Sequence, residues 1–209
     1  MRSGSLSYEQ FCTEAELLQE RSHEVASAQT VGSGRSVATW EWRLGNRQHL
    51  DGDSYLVSTG NVESLIEDDE VQTPLQCKGA KTALVEFHIV YHTIYQTPVL
   101  YFRALAVDGT PLPASVVTRD VHFPGSDGRS TFVAMEEHPV LGKPYSFLHP
   151  CETAAAMQLL QAQVQPSATD TKTPCDVEVP QYLASWLSLV QPLTGISPVD
   201  YYSVGLDFD

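Results

Sequence analysis

The clearest alternation of apolar and polar positions runs from Lys81 to Pro111. Leu84, Glu86, His88, Val90 and His92 take one face, and Val85, Phe87, Ile89, Tyr91 and Thr93 take the other. A two-residue period rich in β-branched and aromatic side chains predicts a strand. The next segment repeats it, with Leu100, Phe102, Ala104 and Ala106 opposed to Val99, Tyr101, Arg103 and Leu105. Two long antiparallel strands follow, over 81–96 and 97–111, joined tightly at Gln96, Thr97 and Pro98. Earlier, Val37–Gly45 places Ala38, Trp40, Trp42 and Leu44 on one apolar face, a half-buried strand. Asp51-Gly52 is a turn signal, and Asp53–Thr59 reads as its hairpin partner.

The period changes to 3.6 towards both ends. Tyr8, Phe11, Cys12, Ala15 and Leu18 predict a helix, capped by Ser7 with Gln10 three residues on, fading near His23. Residues 26–36 are small and polar, a connector. Met157, Leu160 and Val164 mark a helix after Cys151 that Pro166 stops. Leu183, Trp186, Leu187 and Val190 mark a last one, opened by Pro180 and ended by Pro192, Gly195 and Pro198. Residues 108–135, with turn signals at Asp108-Gly109, Pro124-Gly125 and Asp127-Gly128, read as an irregular layer. Residues 60–79 read as a mobile acidic excursion and 196–209 as a loose tail. Helix, strands, irregular layer and helices, in that order, give the α+β class: an antiparallel sheet with flanking helices, in one domain over 1–209.

Charge excludes some partners. Twenty-six acidic side chains against 12 basic ones leave a net −14, which disfavours nucleic acid and anionic membrane surfaces. Four scattered cysteines form no CxxC pair and no zinc spacing. No apolar leader and no 18-residue apolar run is present, so free thiols in a reducing, cytoplasmic setting are expected, without a transmembrane segment. No cofactor or metal is expected either. The chain has no glycine-rich phosphate loop, and His88 and His92 on one strand stand about 13 Å apart, too far for one ion.

Candidate chemistry centres on Cys151, which follows His149-Pro150 and opens the predicted helix. Unpaired N–H groups and the dipole at a helix start favour a thiolate and can lower a thiol pKa by one to several units from about 8.5. From the residues alone, Cys151 is either such a nucleophile or a structural thiol. A cysteine hydrolase would need a distant histidine, and spacing selects none of His88, His92 and His122. His149 either assists deprotonation or fixes the turn before Pro150; His138-Pro139 shapes the preceding loop. Cys12 lies on its helix's apolar face as a buried hydrophobe, and Cys175 sits in a loop.

The order of His149-Pro150-Cys151 after Glu136–Pro144, the hairpin Tyr91–Leu105, Trp40–Arg43 and Tyr182–Val190 resembles the autophagy-related protein 10 family. These are divergent relatives of the ubiquitin-conjugating fold. The resemblance implies that Cys151 accepts autophagy-related protein 12 as a thioester from the activating enzyme, autophagy-related protein 7. It further implies transfer to a lysine of autophagy-related protein 5. ATP would be used by the activating enzyme. The asparagine of the usual His-Pro-Asn motif is replaced by Cys151 itself, and Asn46 and Asn61 lie far upstream, so the oxyanion partner has no assignment. The sibling family, resembling autophagy-related protein 3, modifies phosphatidylethanolamine and usually carries an N-terminal amphipathic membrane-sensing helix and a longer acidic insertion. Here no lysine precedes Lys78, only Arg2, Arg21 and Arg35 lie nearby, and the insertion at 60–79 is short. The hairpin tip, Tyr95, Gln96 and Thr97, either contacts the acceptor or merely completes the sheet.

Overall fold

The computed structural model describes residues 4–28, 37–47, 50–64, 82–118, 133–163 and 181–202. Its strands are β1 (Glu41–Leu44), β2 (Ser54–Ser64), β3 (Thr82–His92), β4 (Thr97–Ala106), β5 (Pro111–Leu112), β6 (Val133–Glu137) and β7 (Pro144–Leu148). They form one antiparallel sheet in the order β1-β2-β3-β4-β7-β6, with β5 on the far end of β4. The helices are α1 (Tyr8–Ala28), α2 (Ser115–Thr118), α3 (Thr153–Gln163), α4 (Tyr182–Thr194) and α5 (Val199–Tyr202). This is the α+β architecture of the ubiquitin-conjugating fold, with helices packed on one sheet face.

The central hairpin sorts its faces as the alternation predicts. Val85, Phe87, Ile89 and Tyr91 join Leu100, Phe102 and Ala104 in the main core, under Phe11, Leu18, Trp186 and Leu187 of the helices. On the opposite, open face, β3 and β4 register Val90 with Val99, His88 with Tyr101 and Glu86 with Arg103. Val90, Val99 and Tyr101 there make a second, smaller core with Tyr145 and Phe147 of β7.

Several expectations are corrected. Helix α1 starts as predicted, with Ser7 Oγ accepting the Gln10 N–H at 3.1 Å, but continues past His23 to Ala28. The extension is held by tertiary bonds: Ser22 Oγ accepts the Trp40 N–H (3.0 Å), and the His23 ring pairs with the Trp40 carbonyl (3.1 Å). Strand β1 is only four residues long, and Leu44 is 61% exposed at the sheet edge instead of sharing the buried face of Trp40. Strand β2 runs beyond Gly60, whose φ of 75° sits in a bulge that Asn61 closes by donating to Ser58 O and Val85 O. The acidic stretch from 65, with Cys77, lies outside the described residues, as do 119–132 with His122, and Cys175.

The irregular layer holds β5, α2 and the start of β6, which pairs with β7 beyond it in an unpredicted hairpin that closes the sheet's other edge. Strand β6 is mostly exposed, so it shows no apolar alternation from which to predict it. Helix α4 buries the expected face and passes Pro192 before ending at Gly195, whose φ of 66° suits the left-handed cap. The segment after it is docked, not loose, through residue 202. Ile196 and Tyr201 are buried, and the Tyr201 hydroxyl accepts Trp40 Nε1–H (3.1 Å) while donating to Ala38 O (2.8 Å). Residues 203–209 lie outside the described residues.

Candidate active site

Strand β7 delivers the cysteine. Tyr145 and Phe147 are buried on the open face, and the chain then leaves the sheet at His149, extended at φ −63° and ψ 128° as a residue before proline must be. Pro150 is buried and opens a 3₁₀ turn, Pro150–Glu152, that runs directly into α3. His149, Cys151 and Glu152 stay exposed, so the thiol stands in solvent at the head of a helix.

His149 acts as the cap of that turn. Its Nδ1 accepts the Cys151 backbone N–H at 3.2 Å. An accepting Nδ1 carries no proton, so the imidazole holds its proton on Nε2. The nitrogen nearest the cysteine is thereby engaged with the backbone, which gives His149 a structural duty in this geometry.

The β3–β4 turn forms the adjoining wall. His92 Nδ1 accepts the N–H groups of Ile94 and Tyr95, each at 3.3 Å, and thereby closes a turn over 93–96, so that β3 ends at His92, four residues before the end the sequence suggests. Burial pushes the His92 ring's pKa down; Glu136 opposes that shift and His149 adds to it. The Tyr95 ring lies edge-on to His92 (4.9 Å) and to His149 (5.8 Å), and Phe147 flanks His149 at 5.9 Å. Cys151, His149 and Tyr95 are therefore brought together. Gln96 takes a left-handed φ of 55°, and its carbonyl accepts the Leu6 N–H (3.0 Å). Thr97 departs from the expected tip: it is fully buried as the first residue of β4, paired with His92. The outermost residues are Thr93 and Ile94, the latter 77% exposed.

Sequence reasoning missed a polar cluster on the open face. Glu86 Oε1 accepts the Tyr145 hydroxyl (2.7 Å) and lies 2.8 Å from His88 Nε2, while Oε2 accepts from Arg103 (3.0 Å). Burial opposes ionisation of Glu86, but the bonds from His88, Tyr145 and Arg103 overcome it and hold the carboxyl at about 2. His138, buried in the β6–β7 loop, places Nε2 3.0 Å from His88 Nδ1, while its own Nδ1 accepts the N–H groups of Val140 and Leu141 (3.2 Å each). Burial first, and His88 second, push the His138 pKa down to about 3. The acid–histidine alternation Glu86-x-His88 was the available signal; its partner His138 is 50 residues away from His88.

These bonds also place the rival histidines. His88 is bound to His138 and His92 to its own turn. Asn61 is committed to the β2 bulge, three strands from β7, about 14 Å across the sheet. Among the described residues no group of three His, Cys, Asp or Glu side chains is placed to hold a metal ion, and no helix is long and apolar enough to cross a membrane.

Residues 10–201 match the family model described as autophagocytosis associated protein, active-site domain. The chain is 36% identical over 191 residues to the ubiquitin-like-conjugating enzyme ATG10 of Arabidopsis thaliana, covering 78% of this chain and 82% of that one. It is 28% identical over 216 residues to the enzyme of the same name from Homo sapiens, covering 90% and 94%. Similarity to autophagy-related protein 3 of Dictyostelium discoideum, at 28%, spans 62% of this chain and 35% of that one.

Proposed function

The chain belongs to the autophagocytosis associated protein, active-site domain family, and on that premise we propose that it is a ubiquitin-like-conjugating enzyme of autophagy with Cys151 as nucleophile. The observation that carries this reading is an exposed thiol on a capped turn between a sheet and a helix, walled on one side by Tyr95 and His149. The Cys151 sulfur attacks the carbonyl carbon of a modifier's C-terminal glycine, held by the activating enzyme as a thioester. The activating enzyme's sulfur leaves with the electron pair, and the acyl group now sits on Cys151. An acceptor lysine amine attacks the same carbon, the Cys151 sulfur leaves, and an amide forms as the amine gives up a proton. Sulfur suits both roles because a thiolate attacks well and leaves well, so exchange between thioesters is nearly balanced.

We assign the modifier as autophagy-related protein 12, the activating enzyme as autophagy-related protein 7 and the acceptor as autophagy-related protein 5, on the similarity to the conjugating enzymes named above. A protein acceptor fits better than a lipid, because the apolar side chains of α1 (Phe11, Ala15 and Leu18) are buried in the core and leave no face for a bilayer. The turn at Thr93–Tyr95 supplies the acceptor contact, with Ile94 outermost.

The test is a thioester trap. Activating enzyme, ATP, modifier and this chain are combined and resolved on non-reducing gels. A thiol-labile adduct is expected, lost in Cys151→Ala and turned thiol-resistant in Cys151→Ser; no adduct from active components overturns the reading.

A further inference from the structure

A short segment ahead of α1, Gly4–Leu6, joins three elements: α4, the β3–β4 turn and the first turn of α3. The Gly4 carbonyl accepts the Tyr182 hydroxyl of α4 at 2.7 Å. The Leu6 N–H donates to Gln96 O in the β3–β4 turn (3.0 Å), and the Tyr91 hydroxyl donates back to Leu6 O (3.0 Å). Leu6 is fully buried. Gly4 lies so close to the first turn of α3 that an added Cβ would stand 2.0 Å from the Ala154 carbonyl oxygen and 3.0 Å from Gln158 N. Its φ of 82° is also a conformation that side-chain-bearing residues rarely adopt. Ala154 follows Cys151 by one helical turn, and Gln96 follows Tyr95. One segment thus touches the helix that begins at the cysteine and the turn that walls it.

We propose that Gly4–Leu6 is a positioning clamp for acyl transfer: it fixes the separation between the β3–β4 turn and the head of α3, and so the approach of an acceptor amine to the acyl group on Cys151. This rests on the conjugating reading above and goes beyond it. Charging needs the exposed sulfur on its capped turn to meet the activating enzyme, whereas transfer to a protein also needs the acceptor held by the β3–β4 turn at the right distance from that sulfur. Gly4 and Leu6 act through these elements and touch no reacting atom.

The test compares Gly4→Ala, which forces a shift against Ala154, with the gentler Tyr182→Phe, which removes only the bond to Gly4. Tyr201→Phe serves as a control that weakens the fold elsewhere. Three rates are measured on the full chain: charging, discharge to hydroxylamine, and transfer to the acceptor protein. Because a displacement of about 1 Å can cost about a hundredfold, transfer should fall about 10- to 100-fold in Gly4→Ala while charging and hydroxylamine discharge stay within about twofold. Tyr182→Phe should show the same split at smaller size, and Tyr201→Phe none. Equal slowing of all three rates, or no slowing of transfer, overturns the clamp. Amide hydrogen exchange gives a readout independent of activity: Leu6 and Gln96 should exchange faster in both clamp variants, and unchanged protection overturns it too. Failure of the parent chain to charge would instead defeat the conjugating reading.

Discussion

His88 Nδ1 and His138 Nε2 lie 3.0 Å apart on the open face of the sheet, and the bonds around them fix where each proton resides. His138 Nδ1 accepts two backbone N–H groups, so its proton sits on Nε2 and points at His88 Nδ1. His88 then carries its proton on Nε2, facing Glu86 Oε1 at 2.8 Å. The loop between β6 and β7 is thereby tied to His88 on the central strand β3, beside the Glu86 carboxylate.

That ordering makes the fold acid-sensitive. The folded His138 pKa is held down from 6.5 to about 3, so its stabilising contribution is complete above about 6.5 and is lost as pH falls towards 3. Glu86, held down from 4.5 to about 2, adds a second loss below about 4.5. At about 1.4 kcal/mol per pKa unit, the histidine alone accounts for a loss on the order of 5 kcal/mol across that whole window. Thermal unfolding from pH 7.5 to 4 should show Tm falling steadily, whereas His138→Leu should start lower and fall less between about 6.5 and 4.5. A parallel pair of curves would contradict the assignment.

His149 can be tested as a cap. Asparagine places its Oδ1 near the position of Nδ1 and caps helices well, while alanine offers no acceptor. His149→Asn should charge nearly as well as the parent, and His149→Ala should charge poorly and lose about 0.5–2 kcal/mol of stability. If both substitutions cost the same large factor in charging, His149 acts in proton transfer.

Two neighbours in the β3–β4 turn should behave oppositely. Ile94→Asp changes an exposed side chain and should slow transfer to the acceptor with charging and Tm intact. Thr97→Lys puts an ammonium into a fully buried position beside His92 and should unfold the protein, at a cost of several kcal/mol. Circular dichroism and the charging gel separate the two outcomes.

The Tyr201 hydroxyl joins α5 to the segment before β1 through Trp40 and Ala38. Tyr201→Phe leaves the buried Trp40 Nε1–H and the half-buried Ala38 carbonyl without it and should cost about 1–3 kcal/mol, read as a lower Tm with charging unchanged.

Much of this was legible in the sequence, for a physical reason. Period-two alternation fixed which side chains of β3 and β4 face the helices, and 3.6-residue spacing did the same for α1 and α4, because each depends only on local backbone geometry. The same local logic placed Cys151 at a helix start after an extended residue. Local geometry says which way a side chain points, not what it meets. The β6–β7 hairpin escaped because an exposed edge strand carries no burial pattern. The burial of Thr97 followed from a turn that His92 closes early. The docking of Tyr201 on Trp40, the His88–His138 pair and the contact of Tyr95 with His149 join residues 161, 50 and 54 positions apart. Only strand order and register, settled when the whole sheet assembles, bring such pairs together.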